Sequence, residues 1–150
     1  MASSKRFYRW ETLLQGLEWA QKYGIKAIVD LHTVPGSQNG YDHSGRRGPR
    51  TWDKDPKNVA RTLLIIEALA TEFSQDKWAD TVIAIELVNE PKSSVDMAVL
   101  KNYYDKAYHI IRSKGNLAMM ISDSFIGIEK WNTFMPPPAY EGLIIDAHCT

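Results

Sequence analysis

Only one cysteine, Cys149, stands in the 150 residues of this chain. No internal disulfide can form, so no redox compartment is encoded. Zinc sites built on cysteine are excluded too. The four histidines, at positions 32, 43, 109 and 148, show none of the spacings that hold zinc in a short motif. No metal ligand and no cofactor is expected on these grounds. Charge of one sign is also lacking, since Lys plus Arg and Asp plus Glu both number 18. No basic run is long enough for a nucleic-acid footprint. The densest basic cluster, Arg46, Arg47 and Arg50, reads either as a solvated loop or as a loop that touches a ligand. The first six residues lack the apolar core of a signal peptide, and no apolar run reaches membrane-spanning length. No membrane partner is expected, and the compartment is left open. No Gly-rich phosphate loop follows any apolar run, which argues against nucleotide binding.

What is present is enough apolar residue, 44%, to bury one compact core. The apolar positions alternate in period. Residues 7–23 read as a helix, with Trp10, Leu13, Leu14, Leu17 and Ala20 on one face and Gly24 as its stop signal. Residues 25–31 read as a short buried strand. A loop follows over 32–56, rich in Gly, Pro, Ser, Asn and Asp, and loops this long inside a compact domain are usually functional or disordered. Helices are expected over 57–74 and 96–113. Strands are expected over 81–88, 117–122 and 143–147, with a short helix ending near Trp131. Strands alternating with helices imply a parallel sheet with right-handed crossovers. That pattern alone fits a doubly wound sheet and half of a (β/α)₈ barrel equally. A whole barrel needs about 250 residues, more than the chain has.

Polar residues gather where each strand ends: Asp30-Leu31-His32, Asn89-Glu90-Pro91, Ser122-Asp123 and Asp146-Ala147-His148. In parallel barrels this edge carries the active site. The competing reading is ordinary capping of the helices that follow. Glu90, set between Asn89 and a rigid Pro91, is the sharpest candidate for a general acid, because partial burial raises a carboxyl pKa. Asn89, His32 and His148 are candidate hydrogen-bonding partners of a polar ligand. Glu86, four residues before Glu90, points to the same side and reads as a buried structural carboxylate that needs a partner. Tyr41, Trp52, Phe125 and Trp131 sit in loops after strands, where each either stacks on a sugar ring or packs in the core. Zero net charge weakens mutual repulsion and favours self-association.

The string from Gly24 to His32, with Pro35-Gly36-Ser37-Gln38-Asn39-Gly40-Tyr41-Asp42-His43-Ser44-Gly45 after it, resembles the third strand and loop of the fungal exo-β-1,3-glucanases of glycoside hydrolase family five. Ile85 to Pro91 resembles their fourth strand and acid/base motif, Asp123 to Trp131 the region after strand five, and Asp146-Ala147-His148 the strand-six motif. The resemblance implies a single truncated glycoside-hydrolase-like domain over 1–150, a partial (β/α)₈ TIM barrel of about four parallel strands with flanking helices. It implies Glu90 as proton donor and Asn89, His32, His148 and Tyr41 at the sugar, with Asp123 and Trp131 as further substrate contacts. It places an active-site Arg ahead of this chain. The nucleophile Glu and a stacking Trp fall on strands that would follow Thr150, which itself stands where an aromatic is expected. The expected function is therefore binding of a β-glucan or glucose-containing oligosaccharide in a lectin-like manner. The alternatives are an active β-1,3-glucanase and an inactive fragment. The resemblance also implies a usually secreted family, and the open strand edges of half a barrel imply a homo-oligomer, with two copies closing the ring.

Overall fold

The structure is a computed structural model that describes residues 4–148, with side chains from Arg9 onward. Cys149 and Thr150 lie outside the described residues, as does the start of the N-terminal segment.

The elements alternate as the periodicity indicates: α1 (Ser4–Lys22), β1 (Ala27–Asp30), α2 (Pro56–Phe73), β2 (Val82–Glu86), α3 (Met97–Lys114), β3 (Ala118–Ser122) and β4 (Leu143–Asp146), with a 3₁₀ turn over Ile128–Trp131 before the last strand. Local chemistry sets the helix starts. The Asp55 carboxylate accepts from the Lys57 amide and Pro56 occupies the first turn, where its missing N–H costs nothing. The Asp96 carboxylate caps α3 by accepting from the amides of Ala98 and Val99 at 2.9 and 3.3 Å. Among the described residues, no helix is long and apolar enough to cross a membrane.

All four strands are parallel and their order in the sheet is β1-β2-β3-β4. A doubly wound sheet reverses its order at a switch point. This sheet does not, so the half-barrel reading holds. One face of the sheet, with Val29, Ile85, Met119 and Ile121, joins α2 and α3 in the core. On the other face Ile28 and Ile144 remain 43% and 37% exposed, since no helix covers them.

The core also ties the helices to the strand ends. Tyr103 and Tyr104 on α3 are fully buried, and their hydroxyls donate to the carbonyls of Leu87 at 2.7 Å and Ser122 at 3.2 Å. Each caps a carbonyl at a strand end, where the ladder is about to stop. Trp52 is fully buried against the edge of Tyr103 and its Nε1 donates to Thr62 at 3.0 Å, so it is a core residue and not a sugar platform. Arg50 pairs with Asp53 and donates to the Ser94 carbonyl at 2.8 Å, which makes it a loop fastener, while Arg46 and Arg47 stay exposed.

The neck of the long loop closes where the Thr51 amide donates to the Gly36 carbonyl at 2.7 Å. Gly36 has φ +84°, and a Cβ there would run into Asn58 and Thr51. Gly36→Ala is therefore expected to destabilise the chain by about 2 kcal/mol or more, read from the midpoint of denaturant unfolding.

Candidate active site

The chain past β2 is held in an unusual backbone shape. Leu87 and Asn89 still donate to neighbouring strands, at 3.0 Å to Met120 and 3.3 Å to Leu31. Glu90 then takes φ +44°, in the left-handed region that costs a non-glycine residue about 1–3 kcal/mol. Side chains from the long loop compensate. Gln38, fully buried, donates through Nε2 to the carbonyls of His32 and Asn89, both at 2.9 Å. Asn39 donates to the Glu90 carbonyl at 3.1 Å, and the Lys92 amide donates back to the Gln38 carbonyl at 3.2 Å. From the opposite side the Ser124 hydroxyl donates to the Pro91 carbonyl at 2.8 Å. The Asn89-Glu90-Pro91 turn is thus gripped by two loops, and the Glu90 side chain is aimed by a backbone that cannot relax.

That side chain sits between two histidines. Its Oε1 lies 2.8 Å from His148 Nδ1 and its Oε2 lies 3.6 Å from His43 Nε2, with a quarter of the side chain exposed. His148 Nε2 in turn lies 2.6 Å from Asp146 Oδ2. Both ring nitrogens of His148 therefore face carboxylates, an arrangement best satisfied when both are protonated. Burial opposes that charge, but the hydrogen bond and charge of Asp146, with Glu90 behind them, outweigh it and hold the His148 pKa above 6.5. A matching pair stands on β1, where His32 Nδ1 lies 2.6 Å from Asp30 Oδ2 and half of the imidazole remains open to a ligand. Burial raises the Asp30 pKa, and the His32 hydrogen bond only partly offsets it.

Below this rim lies an acidic layer. Asp30 and Glu86 are register partners across β1 and β2, and Asp146 follows on β4. Glu86 is 6% exposed, and its Oε1 has no hydrogen-bond partner among the described residues. The expected partner is thus missing. Burial first, and then the charges of Asp30 and Asp146, push its pKa up to about 7. No spacing in the sequence pointed to a metal, yet Glu86, Asp146 and His148 each bring a ligating atom within 4.8 Å of the other two.

The strand-end rim therefore brings together His32, Asn89, Glu90 and His148. Asn89 is 6% exposed. Tyr41 is 49% exposed beside them, its ring stacked on His43 at 5.6 Å with the Lys92 ammonium 5.2 Å away. Two expected contacts fall elsewhere. Trp131 is 2% exposed, packed beside Tyr104 and Phe134 with the Lys101 ammonium over its ring, and its Nε1 donates to the Asp123 carbonyl at 3.0 Å, so it offers no open face to a sugar. Asp123 is buried and its Oδ1 accepts from the Phe125 amide at 3.0 Å, so it shapes a turn. Phe125 stays half-buried near the rim, edge-on to His148 at 5.9 Å. Four contributors went unassigned from the sequence: Gln38, Asn39, Ser124 and His43. The length of the loop, and the Pro35 to Gly45 string that resembles the family's, signalled the first two and His43 without giving them roles. The concavity lined by Phe73, Gln75, Ile83 and Leu117 lies at the other ends of the strands, away from this chemistry.

Comparison with known proteins supplies the lineage. The family model described as cellulase, glycosyl hydrolase family 5, matches residues 9–148. The chain belongs to that family. The glucan 1,3-beta-glucosidase 1 of Schizosaccharomyces pombe is 40% identical over 136 residues, covering 89% of this chain and 33% of that protein. The glucan 1,3-beta-glucosidase of Pichia angusta is 38% identical over 143 residues, covering 92% and 33%. The chain spans about a third of the length of the curated relatives it matches. The crystal structure of AoRut shares the fold at a TM-score of 0.79 and 23% identity, covering 99% of this chain and 44% of that one. The fold is thus a partial (β/α)₈ barrel, and the family's chemistry is glycoside hydrolysis.

Glu86 generates a stability prediction. The unfolded chain loses this proton near 4.5 and the folded chain near 7. As pH rises through that window the unfolded state deprotonates first, so stability falls, by about 3 kcal/mol in all. Glu86→Gln is expected to recover most of that above pH 7 and to change little below pH 4.5, measured by denaturant unfolding across pH. His148 runs with the opposite linkage to an acid of depressed pKa: its contribution is complete below 6.5 and is lost as pH rises through its higher folded value.

Proposed function

We propose that this chain binds a β-1,3-glucan or a related glucose-containing oligosaccharide at its strand-end rim, in a lectin-like manner, with Glu90 as the carboxyl that meets the glycosidic oxygen. The observation that carries this reading is the setting of Glu90: partly exposed, fixed in a strained turn and flanked by His43 and His148. His32, Asn89 and Tyr41 around it offer donors and one aromatic face. The relatives named glucan 1,3-beta-glucosidase support glucose-containing glucans as the ligand class.

Hydrolysis with retention needs a second carboxyl about 5–5.5 Å from the first, ionised and open to the anomeric carbon. The nearby carboxyls of this chain are committed otherwise. Asp30 is tied to His32, Asp146 to His148, Asp123 to a turn, and Glu86 is buried with a raised pKa. Binding without efficient turnover follows for the chain on its own. The alternative, an active β-1,3-glucanase, draws on the same Glu90 and a nucleophile supplied by a residue outside this cluster.

A second copy is the proposed cover for the open edges β1 and β4, whose helix-free face exposes Ile28 and Ile144. A mass by light scattering that doubles with concentration supports this pairing, and a monomer mass at every dilution rejects it.

Calorimetric titration with short β-1,3-glucan oligosaccharides tests the ligand. Saturable heat that returns to baseline is the expected result. Tyr41→Ala should weaken it by about 1 kcal/mol, roughly fivefold in Kd. Glu90→Gln should leave affinity nearly unchanged. Sustained heat with release of glucose, abolished in Glu90→Gln, would establish hydrolysis instead. Absence of heat would reject the ligand class.

A further inference from the structure

Asn39 and Gly40 make the dipeptide in which an asparagine is chemically least durable. Gly40 has no Cβ to shield its amide or to limit its rotation, so its nitrogen can swing onto the carboxamide carbon before it. The Gly40 nitrogen then bonds to Asn39 Cγ, the Cγ–Nδ2 bond breaks, and Nδ2 leaves as ammonia with the proton of the Gly40 amide. Water opens the cyclic imide at one carbonyl or the other, to aspartate or isoaspartate. The sum is asparagine plus water giving an aspartyl residue plus ammonia, with no oxidant, reductant or cofactor.

The fold demands this dipeptide and also restrains it. Gly40 holds φ +83°, and a Cβ there would lie 2.7 Å from the Gly48 carbonyl oxygen, so a side chain would force the loop to move. Asn39 is used at both ends: Nδ2 donates to the Glu90 carbonyl at 3.1 Å and Oδ1 accepts from the Tyr41 amide at 2.9 Å. Those bonds fix the carboxamide, and at 3% exposure little water reaches it. The attacking nitrogen is occupied as well. The Gly40 amide donates to Ser37 Oγ at 2.8 Å, and the chain of bonds runs on through Ser44 Oγ at 2.5 Å to the Tyr41 carbonyl at 2.7 Å. Attack requires the bonds of Asn39 and Gly40 to break together, so local opening of the loop sets the rate.

We propose that Asn39 is a modification site, a point of deamidation that the folded loop keeps closed and that reacts whenever the loop opens. The product changes more than one side chain. An aspartate in this place has no donor for the Glu90 carbonyl and sets a carboxylate against that oxygen. Isoaspartate also lengthens the backbone by a methylene. Either removes one of the two amides that hold the Glu90 turn, so a loop that has opened and reacted does not close to its first geometry. The parts of the site lie in residues 37–48 and at Glu90, and none of the argument rests on the sugar reading.

The chain is incubated at mildly alkaline pH, folded and in denaturant, then digested and mapped by mass spectrometry for a gain of about one mass unit at Asn39. In denaturant Asn39 is expected to react faster than Asn116, whose follower is the bulkier Leu117. The folded chain is expected to react at least about tenfold more slowly than the unfolded one. Ser37→Ala leaves the Gly40 amide without its acceptor and should speed the folded-state reaction several-fold, with unchanged circular dichroism. Ser44→Ala, one bond further along, replaces it if Ser37→Ala loses the fold. Asn39→Asp, the product itself, should unfold at lower denaturant than the parent. Reaction of Asn39 no faster than Asn116 in denaturant overturns the proposal, and so does a folded chain that reacts as fast as the unfolded one. An unchanged rate in the folded serine variant overturns the restraint of the Gly40 amide, and an unchanged unfolding midpoint in Asn39→Asp overturns the effect on the turn.

Discussion

Two side-chain amides hold this site in shape. Gln38 and Asn39 leave the long loop after β1 and donate to the carbonyls of Asn89 and Glu90. Without those donors the two carbonyls would be poorly satisfied at the end of a strand, and Glu90 would have little reason to remain at positive φ. A relaxed Glu90 would turn its carboxyl away from His148. The loop therefore acts as a brace: its own conformation, set by Gly36 and by the Arg50–Asp53 pair, determines where the carboxyl of a different unit points. The Ser124 hydroxyl completes the grip from the third unit. Site geometry here is a property of two loops acting on one turn.

The electrostatics are layered along the strands. Near the bottom of the helix-free face lie apolar residues such as Ile28 and Ile144. Above them come Asp30, Glu86 and Asp146, and above those His32, His148 and Glu90. Each histidine is placed to balance a carboxylate one layer down, and His148 balances two. Glu86 is the exception, and its burial without a partner raises its pKa. A buried carboxyl with an oxygen that no donor reaches among the described residues is a poor nucleophile and a good seat for a proton. That contrast among four acids within one small region follows from environment alone.

Much of the architecture was legible in the residue order. The helix starts were readable at Asp55-Pro56 and Asp96, because caps and first-turn prolines act locally. Four strands with polar C-terminal ends were readable because buried parallel strands are short apolar runs. His32, Asn89, Glu90 and His148 were readable because they fall at those ends. Trp131 and Asp123 lay at equally suggestive positions, and the structure buries both. An aromatic after a strand looks the same in sequence whether it turns outward to a sugar or inward to Tyr104, and an acid looks the same whether it waits for a ligand or accepts from the next amide but one.

The sequence by itself determined the alternation of helix and strand, the family and the row of polar strand ends, since period, caps and motif are properties of neighbours along the chain. Tertiary structure alone decided that the sheet runs in unreversed order, that Gln38 and Asn39 reach across some fifty residues to clamp the Glu90 turn, and that Glu86 Oε1 has no partner among the described residues while Asp30 and Asp146 each meet a histidine. Those facts depend on which groups meet through space and on how much water is left between them. Burial and pairing are set by the packed whole, and no local pattern records them.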